Sequence, residues 1–146
     1  MEIWGPYVEA YKLRQFYEQV VVGDIRYLDW RHFLPLDLVI CGDVIEHMTK
    51  EEGLGVLQRG LTHARVVLVS IPIVDCEQGE SHGNPFEVHV KPDWSHEECL
   101  SSLPAVCVAR AAPLIGVYVL SNSEEDRACL VSIARKLAET GISDIL

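Results

Sequence analysis

Two apolar runs, Leu36–Cys41 and Arg65–Ile71, bracket a helix-start signal at Thr49-x-x-Glu52. This spacing constrains the fold more than any other feature of the chain. A strand, a helix of about three turns and a second strand make a β-α-β unit, which closes only as a parallel, right-handed crossover. Thr49 and Glu52 form a capping box, and the helix they open is expected to end near Gly60. The Leu36–Cys41 run is almost continuously apolar, which predicts a central parallel strand buried on both faces.

The flanking segments extend this pattern. Glu2-Ile3-Trp4 reads as the stub of a strand, and Gly5-Pro6 opens a helix expected to reach about Tyr17, with Val8, Tyr11, Leu13 and Phe16 available to face a sheet. Val20–Val22 reads as a short strand closed by Gly23-Asp24, and 29–35 as a loop. From Pro72 to Pro92 the chain is loop-like, with Gly79 and Gly83-Asn84-Pro85 and little periodicity. A loop that long in a compact domain usually carries function. Ser95-x-x-Glu98 is a second capping box, whose helix ends before Pro104. Val106–Ala111 and Leu114–Leu120 read as an antiparallel pair around Pro113. Ser123-x-x-Asp126 opens the last helix, striped by Leu130, Ile133, Ala134 and Leu137 and stopped by Gly141. The sum is an α/β fold with a doubly wound, mostly parallel sheet and a C-terminal antiparallel strand pair.

Composition narrows the partners. The 146 residues argue for a single domain, 1–146, large enough for a real core. A formal net charge of −10 disfavours a nucleic acid as main partner, because phosphate binding needs a basic footprint. The longest apolar run, Val66–Val74, is interrupted by Ser70 and Pro72, so no membrane span is expected. With no signal-like leader the chain reads as cytoplasmic. The five cysteines (Cys41, Cys76, Cys99, Cys107, Cys129) show no C-x-x-C spacing and suit reduced thiols better than a disulfide frame or zinc site.

In an open α/β sheet, ligands bind beyond the carboxyl ends of the strands. That rule selects Glu2, Asp24, Gly42–His47, and Ile71–Val74 with its loop. The run L-D-L-V-I-C-G-D-V-I-E-H-M, Leu36–Met48, resembles the fourth motif of class I S-adenosylmethionine-dependent methyltransferases. Glu2-Ile3, Gly23-Asp24-Ile25 and Val66–Pro72 resemble the ends of that family's second, third and fifth strands, in order and approximate spacing. The resemblance implies a Rossmann-like fold, S-adenosylmethionine as cofactor, and methyl transfer to an oxygen or nitrogen of a small-molecule acceptor. It would set Glu2 on the ribose hydroxyls, Asp24 on the adenine amino group, Ile25 beside the ring, and Gly42 and Asp43 along the methionine part. Glu46 and His47 would sit at the rim of the substrate side.

The long loop supplies a second cluster, His82 to Trp94. Asn84 and Phe86 are candidates to contact the acceptor. His89, Glu87 and His47 are candidates to take its proton. Each residue also has a structural reading. Glu2 can be solvated, Asp24 can be a turn residue, His47 can fix the loop, Asn84-Pro85 can form a turn, and Trp94 can anchor the loop to the core. Ligation of a metal by His82, Glu87 and His89 fits no standard spacing, so no metal is expected.

The chain departs from the family at one place. No G-x-G-x-x-G or G-x-G-x-G occurs, and Gly53-Leu54-Gly55 falls inside the Thr49 helix. The family's first strand, glycine loop and first helix are therefore expected to be missing, leaving an N-terminally incomplete domain. A gap beside the Leu36 strand would expose unpaired backbone, so the chain is expected either to pair its strands differently or to form a homodimer that covers the gap. The alternative is a non-catalytic binding or assembly module, or a truncated fragment unable to bind the cofactor.

Overall fold

The computed structural model describes residues 1–140; Gly141, the expected stop of the last helix, lies outside them. Four strands form one sheet in the order β1-β2-β4-β3. They are β1 (Leu36–Gly42), β2 (Ala64–Pro72), β3 (Val106–Ala111) and β4 (Ile115–Leu120). β1 and β2 are parallel, with Cys41 opposite Val69 and Gly42 opposite Ser70. β4 is antiparallel to both β2 and β3. The expected β-α-β unit and C-terminal antiparallel pair are thus both present, in a Rossmann-like α/β arrangement.

Between β1 and β2 runs α2 (Lys50–His63), opened by the full Thr49/Glu52 capping box. It buries Gly53, Val56, Leu57, Gly60 and Leu61, a single helical stripe. Two glycines set its distance from its neighbours. A Cβ on Gly60 would lie 3.3 Å from Val67 Cγ2, and one on Gly53 3.2 Å from Ile45 Cβ. α3 (His96–Ser102) is capped by Ser95, whose hydroxyl accepts from the Glu98 N–H. The carboxylate of Glu98 pairs with Lys50 at 2.8 Å and Lys91 at 3.1 Å. The Ser123 hydroxyl accepts from the Asp126 N–H at the start of α4 (Glu124–Glu139). The core lies between α2, α3 and the sheet, where Val67, Val69, Ile71, Leu57, Tyr118 and Leu120 are fully buried.

The N-terminal region departs from expectation. α1 spans only Gly5–Ala10, and Lys12 then takes a left-handed φ of 52°, which ends the helix well before Tyr17. Only Val8 of its apolar positions is buried; Tyr11 and Phe16 are exposed, so nothing holds a longer helix in place. The Val20–Val22 strand reduces to one parallel bridge between Val22 and Glu2. The 29–35 segment contains a 3-10 turn, Trp30–Phe33. β1 is not buried on both faces: Leu38 is 49% and Ile40 65% exposed, on the face opposite Val39 and Cys41, and β2 is its one partner among the described residues. The stripe on α4 is only partly covered, with Ile133 and Leu137 exposed.

Candidate functional site

The candidate residues gather around two adjoining cavities at the carboxyl end of β1. The first, about 310 Å³, is bordered by Glu2, Asp24, Ile25, Gly42, Asp43, His47, Asn84, Phe86 and Glu87. The second, about 420 Å³, is bordered by Asp43, Glu46, His47, Cys76, Gln78, Glu87 and His89. Asp43, His47 and Glu87 border both. This is where strand-end geometry places ligands in open α/β sheets.

The outer wall of the first cavity is built from the N-terminal bridge. Glu2 donates its N–H to Val21 O and Gly23 donates to Glu2 O, both at 2.9 Å. The Glu2 carboxylate accepts the Trp4 N–H on Oε1. Asp24 caps a 3-10 turn, Ile25–Tyr27, by accepting the Arg26 N–H at 2.8 Å. The Arg26 guanidinium returns to the same carboxylate through Nε and Nη2. Its Nη1 donates to Glu52 at 2.8 Å, which locks the turn to the first turn of α2. Held by those Arg26 bonds, the Asp24 carboxyl stays below its usual range. Arg26 thus makes four contacts with the carboxylate, two on each oxygen, so a ligand reaching Asp24 has to share an oxygen with it. Arg26 was not foreseen from sequence; its place two residues after an Asp in a turn is the signal that would have found it.

At the end of β1 the chain turns sharply. Asp43 takes a left-handed φ of 50° and donates its N–H to Ser70 O. A short polar side chain tolerates that conformation. A 3-10 turn, Ile45–His47, then leads into α2. Glu46 is not at a rim as expected: it is 1% exposed. Neither of its carboxylate oxygens makes a hydrogen bond among the described residues. Burial pushes its carboxyl up to about 7; the nearby Glu46 amide opposes this, the Asp43 charge adds to it, and the Val44 amide opposes it again.

The long loop folds back over this turn. Lys91 donates its N–H to Glu46 O at 3.0 Å, and His89 donates its N–H to Gln78 O at 3.0 Å. His47 Nδ1 bonds Val88 O at 3.2 Å and His89 Nδ1 bonds Cys76 O at 2.5 Å. A carbonyl only accepts, so both rings carry a proton on Nδ1, and in the neutral form both Nε2 lone pairs are free. The rings meet edge to face, with centroids 4.9 Å apart. Ligand atoms of Glu46, His47 and His89 all lie within 4.8 Å of one another. This is a metal-competent donor set, where the sequence pointed to none. It also differs from the trio weighed there: His82 is exposed and outside the cluster, and Glu87 is not a member.

Other loop residues serve structure. Asn84 is buried, accepts the Phe86 N–H at 2.9 Å and donates to Glu87 Oε1. Gln78 donates to the other Glu87 oxygen at 3.2 Å. Phe86 leans on Trp4 across the mouth of the first cavity, with ring centroids 6.1 Å apart. Trp94 is 1% exposed and anchors the loop to the core, with the Lys91 ammonium 5.1 Å from its ring. All five cysteines are free. No helix among the described residues is long and apolar enough to cross a membrane.

No family model matches the chain, and no curated protein matches it. Among solved structures, the N-terminal domain of EvdMO1 with SAH bound is similar at 14% identity and a TM-score of 0.45, over 69% of this chain and 51% of that one. The small RNA methyltransferase HEN1 is similar at 17% identity and a TM-score of 0.49, over 70% of this chain and 16% of that one. The aligned part thus spans about half the length of the EvdMO1 domain.

Proposed function

We propose that the chain binds S-adenosylmethionine in the first cavity and directs its methyl group to an oxygen or nitrogen of a small molecule in the second. The observation that carries this reading is the convergence of the two cavities on Asp43, His47 and Glu87. Residues singled out from separated segments of the sequence meet around one cleft.

The residues present fit the cofactor. Glu2 Oε1 accepts a backbone N–H, and Oε2 has no partner among the described residues, so it is free to accept from a ribose hydroxyl. Asp24 would accept an amino group by sharing an oxygen with Arg26, and Ile25 offers an apolar wall. Asp43, exposed beside Gly42, suits an ammonium group by charge. A cavity near 310 Å³ lies in the range of small-ligand sites. The cofactor supplies an electrophilic methyl group on a sulfonium centre. The chain's work is to hold the acceptor atom in line with that carbon and to take its proton. His89 Nε2 is the leading acceptor of that proton, because its tautomer is fixed by Cys76 O. His47 Nε2 is the second. Glu87 is third, since its oxygens already accept from Asn84 and Gln78. Asn84 and Phe86 would shape the acceptor's entrance. The net charge of −10 favours a small acceptor over a polyphosphate chain.

Addition of S-adenosylhomocysteine to isotope-labelled protein tests this directly. Amide signals of Ile25, Gly42 and Asp43 are expected to shift, while those of β3 stay fixed. Shifts confined to β3 and α4, or none at millimolar ligand, would refute the reading. The open edge of β1, whose one partner among the described residues is β2, further supports pairing with a second copy of the chain. A monomer by light scattering at high concentration would rule that out.

A further inference from the structure

The Glu46 carboxylate is the most unusual group in the molecule. It is 1% exposed and both oxygens lack a hydrogen-bond partner among the described residues. A buried carboxylate in that state is costly unless something positive or proton-donating reaches it. Neither a lysine nor an arginine does so among the described residues: Lys91 Nζ pairs with Asp93 and Glu98, and Lys50 Nζ with Glu98. What faces the same cavity is a pair of imidazoles, His47 and His89.

Those imidazoles are prepared in a specific way. Each donates Nδ1–H to a backbone carbonyl, Val88 O for His47 and Cys76 O for His89. A carbonyl on one ring nitrogen fixes the tautomer, orients the ring and makes the other nitrogen a better ligand, which is the usual outer-sphere support of metal-bound histidine. The loop that carries Val88 and His89 is pinned at this point by Lys91 N–H to Glu46 O. The supports come from Cys76 and from the 88–91 stretch, and they converge on the Glu46–His47 turn.

We infer that Glu46, His47 and His89 form a binding site for a single divalent first-row transition metal ion. Two imidazole nitrogens and one carboxylate suit manganese, iron, cobalt or zinc better than magnesium or calcium, which favour all-oxygen sites. Ligand atoms about 2.1 Å from an ion lie at most about 4.2 Å apart. Three ligands of one ion cannot all stand opposite one another, so spacings of up to 4.8 Å need a contraction of about an ångström on binding. Three protein ligands leave positions open towards the second cavity, where an oxygen or water can complete the coordination. An ion held there takes the Nε2 lone pairs, so ligation and proton acceptance exclude each other. The inference reassigns His47 and His89 to ligation and leaves Glu87, which borders both cavities, as the remaining proton acceptor. It stands without the methyl-transfer reading, because metal binding is measured in the absence of cofactor.

The experiment titrates the untagged, chelator-treated 146-residue chain with cobalt(II) and with manganese(II) alone. One equivalent is expected to bind, with a rise in melting temperature. Glu46→Gln and His89→Ala should each weaken binding at least tenfold, while His82→Ala, at an exposed site, leaves it unchanged. X-ray absorption of the cobalt-loaded wild-type protein gives a readout that needs no variant, and two imidazole ligands are expected. No saturable binding at millimolar ion, wild-type binding in both Glu46→Gln and His89→Ala, or a cobalt shell without imidazole would each overturn the inference.

Discussion

Replacing Arg26 with methionine keeps the apolar stem and removes the charge that ties Asp24 to Glu52. The Arg26 side chain is 28% exposed, Asp24 19% and Glu52 38%, with the ion pairs closed at 2.6 and 2.8 Å. The Asp24 pair lies between two limits: exposed pairs contribute under about 1 kcal/mol, and breaking a buried one costs about 3–5 kcal/mol. The Glu52 pair is more exposed, and solvent screening leaves it little weight. The expected loss is about 2 kcal/mol, or roughly 4–8 °C in melting temperature for a domain of this size. The sign with pH follows from the lowered Asp24 carboxyl. Its contribution is intact above the unfolded value, near 3.8, and declines as pH falls through the lower folded value. Urea unfolding of wild type and Arg26→Met in a pH series checks this. The gap should be full at neutral pH and shrink below about pH 4. A gap under about 0.5 kcal/mol at neutral pH, or one indifferent to pH, would refute the claim that this clamp holds the outer wall of the cleft.

Other consequences are as specific. Thr49→Ala removes the hydroxyl that accepts the Glu52 N–H, and a loss of about 1 kcal/mol in chemical unfolding is expected. Leu57→Ala empties a fully buried position under the sheet, so the same assay should show a loss of about 2–5 kcal/mol. Gly116→Ala would set a Cβ 2.7 Å from Tyr118 Cε2 and 2.8 Å from Ile73 Cγ2, where both the buried ring and the Ile73 side chain must move; a loss of about 1–3 kcal/mol is expected, and unchanged stability would contradict the packing. Cys41, whose thiol burial pushes up to about 11, should resist alkylation in the native state, while exposed Cys129 reacts, as peptide mapping will report.

The elements legible in the sequence are those whose signals are local. Thr49, Ser95 and Ser123 announced three helices, because a cap is a contact within four residues. The β-α-β crossover and the β3–β4 pair followed from periodicity and short connections. Features that depend on distant neighbours were not legible. The apolar character of β1 says which residues suit a sheet, not whether anything packs over each face, so the exposure of Ile40 was not legible. Glu46 looked like a rim residue from its place in a D-V-I-E-H run. Its burial is decided by the loop ending at Lys91, some 45 residues later, which closes over it. The same loop brings His89 to His47, a contact that no spacing along the chain encodes.

The central claim is that the cleft bordered by Glu2, Asp24, Gly42 and Asp43 takes S-adenosylmethionine. Calorimetric titration of the chain with S-adenosylmethionine, beside an Asp24→Ala control whose fold is verified by circular dichroism, tests it most directly. Saturable binding that the Asp24→Ala control loses is the predicted result. No binding at millimolar ligand by a folded wild-type protein, or equal binding by both proteins, would contradict it.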